Sequence, residues 1–344
     1  MSSSVQEVYT AIADEVNQTP LVSAPEISRI LSVSENGPSI ELFLKCEGKQ
    51  KTGSFKYRGA WYALSSLKAS TLGRGLVATS SGNFGKALAS AAHDLGIRMG
   101  IKIPLTIVMP STSRPSKIMA TKTLGANVYL SGPSWAEREA AVQALQRQLG
   151  ASCLSTVNNP NILLGQGTVG VEVMQQMRRI YRSEPDAVIV PCGSGGLLAG
   201  IALFFHGTRT KVFGSEPSKG GADDARRGRL QKSRIDRVDS NTMADGLRCP
   251  VGETAWEVIQ RPEYVEDIYA VGENEIQMAM KALLKHNGLM VEPSAAVALA
   301  AALFSASFHD RVEEYGKRPF RLGVILTGCN IELNDFATLL SSEC

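Results

Sequence analysis

Lys56 lies in the run Lys51-Thr52-Gly53-Ser54-Phe55-Lys56-Tyr57-Arg58-Gly59-Ala60, where a Gly/Ser turn leads into a helix expected to begin near Phe55. A lone lysine is ordinarily a solvated side chain. Here the small residues before it admit a ligand closely. A place in the first helical turn also sets the ammonium against the positive end of the helix dipole, which favours the neutral, nucleophilic amine. Such a lysine can form a Schiff base with a carbonyl compound. A second polar turn, Thr79-Ser80-Ser81-Gly82-Asn83-Phe84-Gly85, separates an apolar run from a helical pattern. Backbone N–H groups at a helix start, with Ser and Asn side chains beside them, suit a carboxylate, and plain helix capping is the competing reading.

The third constellation follows the apolar run Ala187-Val188-Ile189-Val190-Pro191: Cys192, then Gly193, Ser194, Gly195, Gly196 and Leu197. Consecutive glycines let successive amides point into one concavity and hold a phosphate without a cationic side chain. A dinucleotide site competes, because Glu216 ends a strand about twenty residues on, where a ribose-binding acid would stand. The register disfavours it, since the third fingerprint glycine would fall on Leu198. The fourth is Leu326-Thr327-Gly328-Cys329-Asn330, a hydroxyl residue in a tight turn at the end of the last apolar run. It gains meaning only if a pyridine nitrogen needs a partner there.

These loops require strands and helices in alternation. GLVATSS is followed by FGKALASAAHDLG, LTIVMP by SKIMATKTLG, and ANVYL by a helical stretch over 136–149. AVIVP then precedes a helix over 197–207, and KVFGSE and RLGVILTG follow later. Short β-branched runs alternating with helices predict parallel α/β architecture, with function in the loops beyond the carboxyl ends of the strands. The uncharged run 294–308 is too short to span a bilayer and suits a buried helix.

Composition narrows the class. The chain has 344 residues, 44% hydrophobic and 20% charged, enough for a substantial core and, on length, two domains. Its net charge is +3 from 36 basic and 33 acidic residues, dispersed except for Arg226, Arg227 and Arg229, so nucleic acid is not an expected partner. Six cysteines show no CxxC pair, and with four histidines there is no zinc spacing, which suits a reducing compartment. The opening segment carries acidic residues and no apolar core, unlike a signal peptide. A soluble, cytoplasmic protein with no membrane partner is expected.

Taken in order, KTGSFKYRGA, SSGNFG, GSGGLLAG, Glu292-Pro293-Ser294 and TGCN resemble the fold type II pyridoxal-phosphate enzymes, specifically the serine racemase and serine/threonine dehydratase group. The resemblance runs from Thr19 to Asn334, and the segments from Thr242 to Leu247 and from Glu216 to Asp224 share in it. It implies a tryptophan synthase β-like α/β fold of two open, twisted, mostly parallel sheets with helices on both faces. The large domain would comprise residues 1–74 and 153–344, and a small mobile domain residues 75–152. A homodimer is expected, without an added regulatory domain.

Residue by residue, the resemblance makes Lys56 the Schiff-base lysine and Phe55 the ring-stacking aromatic. It makes Asn83 the partner of the pyridine hydroxyl, Gly193, Ser194, Gly195, Gly196 and Leu197 the phosphate cup, and Thr327 the partner of the pyridine nitrogen. Ser80, Ser81 and Asn83 would hold the substrate carboxylate, and Ser81 would face Cα opposite Lys56. Glu216, the carbonyl of Ala222, and Asp224 would bind Mg²⁺ or another divalent cation, in a loop two residues longer than in serine racemases. The implied function is racemisation of serine together with β-elimination from serine or threonine to a keto acid and ammonia. The substrate would be a small hydroxy-amino acid, with threo-3-hydroxyaspartate also open. A dehydratase that does not racemise, and more remotely a dinucleotide-dependent oxidoreductase, are the alternatives.

Overall fold

The computed structural model describes residues 4–32, 38–80, 82–316 and 318–342. Ten strands lie among them: β1 (Leu21–Ser23), β2 (Ile40–Cys46), β3 (Leu76–Thr79), β4 (Leu105–Pro110), β5 (Asn127–Ser131), β6 (Ser152–Cys153), β7 (Ala187–Pro191), β8 (Lys211–Pro217), β9 (Asp267–Val271) and β10 (Phe320–Leu326). Six form one sheet in the order β1-β2-β10-β7-β8-β9, parallel except for β1 against β2. The other four form an all-parallel sheet, β5-β4-β3-β6, drawn wholly from residues 76–153.

The central strands explain their own burial. A parallel strand is covered on both faces and reads as a continuous apolar run. β7, AVIVP, is buried throughout. Its alternating side chains serve two cores, Val188 and Val190 facing one and Ala187 and Ile189 the other. The helix Pro293–Phe304 crosses the second core with its residues 293–302 buried. The uncharged run expected as one buried helix is therefore two, broken at Ser305, whose hydroxyl accepts from the Phe308 amide and starts the helix Ala306–Glu313. On the opposite face, the helix Pro160–Tyr181 packs against the helix Gly196–Phe205 through glycines. A Cβ on Gly167 would come 2.5 Å from the Gly200 carbonyl oxygen, and one on Gly200 2.3 Å from that of Leu163. This close crossing sets the glycine loop at the end of β7.

A fully buried ion cluster anchors the helix Lys56–Ser65. Arg58 grips two carboxylates bidentately: Nε and Nη2 donate to Glu47 at 2.9 and 2.8 Å, Nη1 and Nη2 to Glu172 at 2.7 and 2.9 Å. Lys45 on β2 donates to Glu172 at 2.6 Å and to the Thr19 carbonyl at 2.7 Å. Two cations thus balance two anions with no solvent exposure. Charges so buried are tolerated only when matched, and the cluster ties the Lys56 helix to β2 and to the helix Pro160–Tyr181. The helix Asn83–Met99, which leaves β3, packs against the same Lys56 helix, so an apolar core runs continuously between the two sheets.

Candidate active site

All four loops singled out in the sequence lie at carboxyl ends of strands or at helix starts, and backbone hydrogen bonds tie two of them directly. The Phe55 amide donates to the Thr327 carbonyl at 3.2 Å, the Cys329 amide to the Gly53 carbonyl at 3.0 Å, and Ser54 and Gly328 form an isolated antiparallel bridge. Lys56 therefore starts its helix beside the turn that carries Thr327, itself buried. The Lys56 ammonium lies 4.5 Å from the centre of the buried Phe55 ring. Lys56 keeps partial exposure, yet desolvation of its amine outweighs the nearby Cys249 thiol and Glu292 carboxyl and pulls its pKa below the usual lysine range. That shift favours the nucleophilic form. The buried hydroxyls of Thr52 and Ser54, in the same loop, have no hydrogen-bond partner.

The glycine loop meets the loop after Leu247. Gly195 takes φ +82°, and a Cβ there would lie 2.8 Å from Ile259 Cδ1, 2.9 Å from Ala255 Cβ and 3.1 Å from Val251 Cγ1. The Gly252 amide donates to the Ser194 carbonyl at 3.2 Å. A Cβ on Gly196 would meet Gln166 Oε1 at 2.6 Å. Glycine is thus demanded by packing from behind, and the first amides of the helix Gly196–Phe205 need partners from outside the helix.

In the SSGNFG turn the Ser80 hydroxyl accepts from the amides of Gly82 at 3.2 Å and Gly85 at 2.7 Å, a capping arrangement. Ser81 lies outside the described residues. Asn83 Nδ2 donates to both carboxylate oxygens of Glu292, at 2.9 and 2.8 Å, and its Oδ1 accepts from Asn330 Nδ2 at 3.0 Å. Glu292 is buried, and desolvation, opposed by Asn83 and reinforced by Asp245, pushes its carboxyl up to about 7. Sequence reasoning noted the Glu292-Pro293-Ser294 motif without giving the carboxylate a role. It also passed over Cys249 and the 2.5 Å pair Lys117–Asp245 beside Glu292. Arg138 is half-buried, and burial lowers its pKa against the influence of Cys249.

Glu216, next to last in β8, is fully buried, its carboxylate accepting from the amides of Ala225 at 3.1 Å and Arg226 at 2.9 Å. It therefore cannot serve as the ribose acid of a dinucleotide site. Asp224 is buried beside it. Its Oδ2 accepts from the Val251 amide at 2.9 Å, while Oδ1 has no partner. Burial, with each acid near the other, pushes Glu216 well above the usual carboxyl range, and burial raises Asp224 to about 6. The loop between them folds back through Gly220 and Gly221, at φ +62° and +78°, which brings Asp224 to Glu216, with Ala222 buried in the same loop.

The family model described as pyridoxal-phosphate dependent enzyme matches residues 12–315. A serine racemase of Oryza sativa subsp. indica is 34% identical over 337 residues, 96% of this chain and 91% of the relative. An L-threonine ammonia-lyase of Thermotoga maritima is 33% identical over 96% of this chain and 75% of its own length. Maize serine racemase superposes with a TM-score of 0.86 at 32% identity, covering 97% of this chain and 94% of that one. With a desolvated lysine at a helix start, a glycine loop at the end of a central parallel strand and a hydroxyl turn zipped to the lysine loop, the chain belongs to the pyridoxal-phosphate dependent enzyme family.

Proposed function

We propose that this enzyme interconverts the enantiomers of a small hydroxy-amino acid such as serine, and also eliminates the β-hydroxyl to give a keto acid and ammonia. The observation that carries the reading is the bridge between the Gly53–Lys56 loop and the Thr327–Cys329 turn, which sets Lys56 beside Thr327 in a chain aligned with serine racemases over nearly its whole length. The residues fit pyridoxal phosphate. Lys56 carries a desolvated amine, Thr52 and Ser54 have unpartnered hydroxyls, and glycine loop and helix start suit a phosphate. When bound, the cofactor supplies an electron sink for negative charge developing at Cα.

The protein's part is to place and move protons. Lys56, whose amine desolvation makes easier to deprotonate, takes the Cα proton on one face. Ser81, by the resemblance, returns a proton on the other face and so inverts the centre. Thr327 would offer the nitrogen of a bound pyridine ring a neutral hydroxyl, a weaker proton source than a carboxylic acid, which would disfavour transamination. Loss of the β-hydroxyl from the same deprotonated substrate needs no second acid at Cα, so a dehydratase that does not racemise is the second reading. The similarity to a threonine ammonia-lyase favours keeping it. The test is incubation with L-serine, L-threonine and L-threo-3-hydroxyaspartate, measuring keto acid and enantiomer together, beside Lys56→Ala. Both products from the wild type and neither from the variant support the proposal. Keto acid alone establishes the dehydratase.

The proposal extends to a divalent cation at Glu216, Asp224 and the Ala222 carbonyl. Two carboxyls buried together, one with an orphaned oxygen, fit a hard oxygen-liganded cation such as Mg²⁺. Among the described residues no group of three or more His, Cys, Asp or Glu side chains is placed to bind a metal, so a third ligand would be the carbonyl. Chelator should lower thermal stability. An unchanged melting temperature, with no cation by elemental analysis, would remove the site. Among the described residues no helix is long and apolar enough to cross a membrane. Cytoplasmic residence and a homodimer complete the proposal on composition and resemblance alone.

A further inference from the structure

The helix Pro160–Tyr181 lies between the two helices whose starts carry Lys56 and the glycine loop, and it meets each of them at backbone level. Toward the helix Lys56–Ser65, a Cβ on Gly59 would come 2.7 Å from the Ile162 carbonyl oxygen, and one on Gly165 2.7 Å from that of Arg58. Toward the helix Gly196–Phe205, a Cβ on Gly167 would come 2.5 Å from the Gly200 carbonyl oxygen. Gly165 and Gly167 stand two residues apart, about 200° around a helix of 3.6 residues per turn, so the two contacts fall on nearly opposite faces. Gln166 points between them. A Cβ on Gly59 would meet its Cγ at 2.9 Å and one on Gly196 its Oε1 at 2.6 Å, so this one side chain, 2% exposed, abuts the first turn of both flanking helices. Its carboxamide makes no hydrogen bond to a described residue, so packing alone holds it there.

We propose that Gly165, Gln166 and Gly167 are positioning residues that make this helix a spacer, matching the distance from the Lys56 amine to the phosphate cup to the length of pyridoxal phosphate. The inference rests on the reading of Lys56 and residues 193–197 as the two anchors, and it is indifferent to whether the reaction is racemisation or elimination. A ligand tied at both ends gains affinity because its second attachment is intramolecular, and it loses that gain when the anchors no longer match its span. The spacer has little give, since a close-packed interior transmits strain rather than absorbing it. To restore an ordinary 3.4 Å contact around a Cβ at position 167, the helix that starts at the cup must back off by about 0.9 Å. The Lys56 helix cannot simply follow, because Arg58 is held to Glu172 of the spacer by a buried 2.7 Å ion pair.

Three ligands separate the anchors from their spacing. Pyridoxal phosphate engages both anchors, pyridoxal engages Lys56 alone, and inorganic phosphate engages the cup alone. Each is titrated into the full-length protein stripped of cofactor, the two aldehydes by the absorbance of their Lys56-bound form and phosphate by calorimetry. Gly167→Ala should weaken pyridoxal phosphate by about a hundred-fold, the scale of a misplacement of about 1 Å, and change pyridoxal and phosphate by less than about three-fold. Gly165→Ala, on the opposite face, should show the same pattern. Gly170→Ala is the control on the same helix: its Cβ would meet only side chains, Phe204 at 3.1 Å, Phe205 at 3.2 Å and Ile201 at 3.6 Å, which can yield, so all three affinities should stay near wild type. Should a glycine variant fail to fold, Gln166→Ala adds no atoms and must still weaken pyridoxal phosphate more than either smaller ligand. Wild-type affinity for pyridoxal phosphate in Gly167→Ala, equal losses for all three ligands, or the same loss in Gly170→Ala would overturn the proposal. Lys56→Ala checks the anchors separately, since it should abolish pyridoxal binding and keep phosphate binding whatever the glycine variants do. A Lys56→Ala protein that binds pyridoxal as the wild type does would refute the anchor, and the spacer with it.

Discussion

Gly195 offers a measurement in which strain and charge separate. The residue sits at φ +82°, a conformation that costs an L-residue about 1–2 kcal/mol. Its added Cβ would press on Ile259 at 2.8 Å, Ala255 at 2.9 Å and Val251 at 3.1 Å, overpacking worth about 1–3 kcal/mol. Gly195→Ala should therefore cost about 2–5 kcal/mol in the observed loop geometry. The loop can relieve this by moving off the helix Glu253–Ile259, at the expense of the phosphate cup. If the whole cost appears in cofactor binding, affinity falls by about thirty-fold to several thousand-fold. Gly195→Asp adds a carboxylate directed at an apolar wall and near a bound phosphate, so it should bind more weakly still, by at least about a further ten-fold. The assay is equilibrium binding of pyridoxal phosphate, with the absorbance of the Lys56-bound cofactor as the signal. Unchanged affinity in Gly195→Asp would refute the assignment of the phosphate to this loop. An Asp variant equal to the Ala variant would show that the cup responds to backbone geometry alone.

Three further outcomes follow from other parts of the molecule. Ser81→Ala should lower enantiomer formation by about a hundred-fold or more and spare more of the elimination from the L-substrate; equal losses in both rates, read by chiral chromatography and keto-acid release, would sink the racemase reading. Arg58→Met should destabilise the protein by about 3–5 kcal/mol, because Glu47 and Glu172 would each lose their bidentate partner while fully buried, with only Lys45 left to Glu172, and a urea midpoint close to wild type would contradict it. Glu292 carries a folded pKa of about 7 against 4.5 when exposed, so its contribution to stability is fully present below 4.5 and is lost as pH rises through about 7. In the cofactor-free protein Glu292→Gln should remove that part of the decline, on the order of 3 kcal/mol, between urea midpoints taken at about pH 5 and about pH 8; parallel declines in the two proteins would count against it.

Local pattern carried much of this protein. The β-branched runs at Leu76–Thr79, Ala187–Pro191 and Phe320–Leu326 read as strands because a parallel strand buried on both faces leaves no polar alternation. The loops after them read as sites because glycines, hydroxyls and a lysine at helix starts have few other uses, and their order along the chain was enough to suggest the family. Tertiary structure decided the rest. Asn83 meets Glu292 across 209 positions and Lys86 meets Asn330 across 244, contacts set by the sheet order that lays β10 between β2 and β7 and brings the Thr327 turn to Lys56. No local spacing encodes them. The shifted pKa values of Lys56, Glu216, Asp224 and Glu292 belong to the same class of fact, because burial is their first cause and burial arises only when segments remote in sequence close over a side chain.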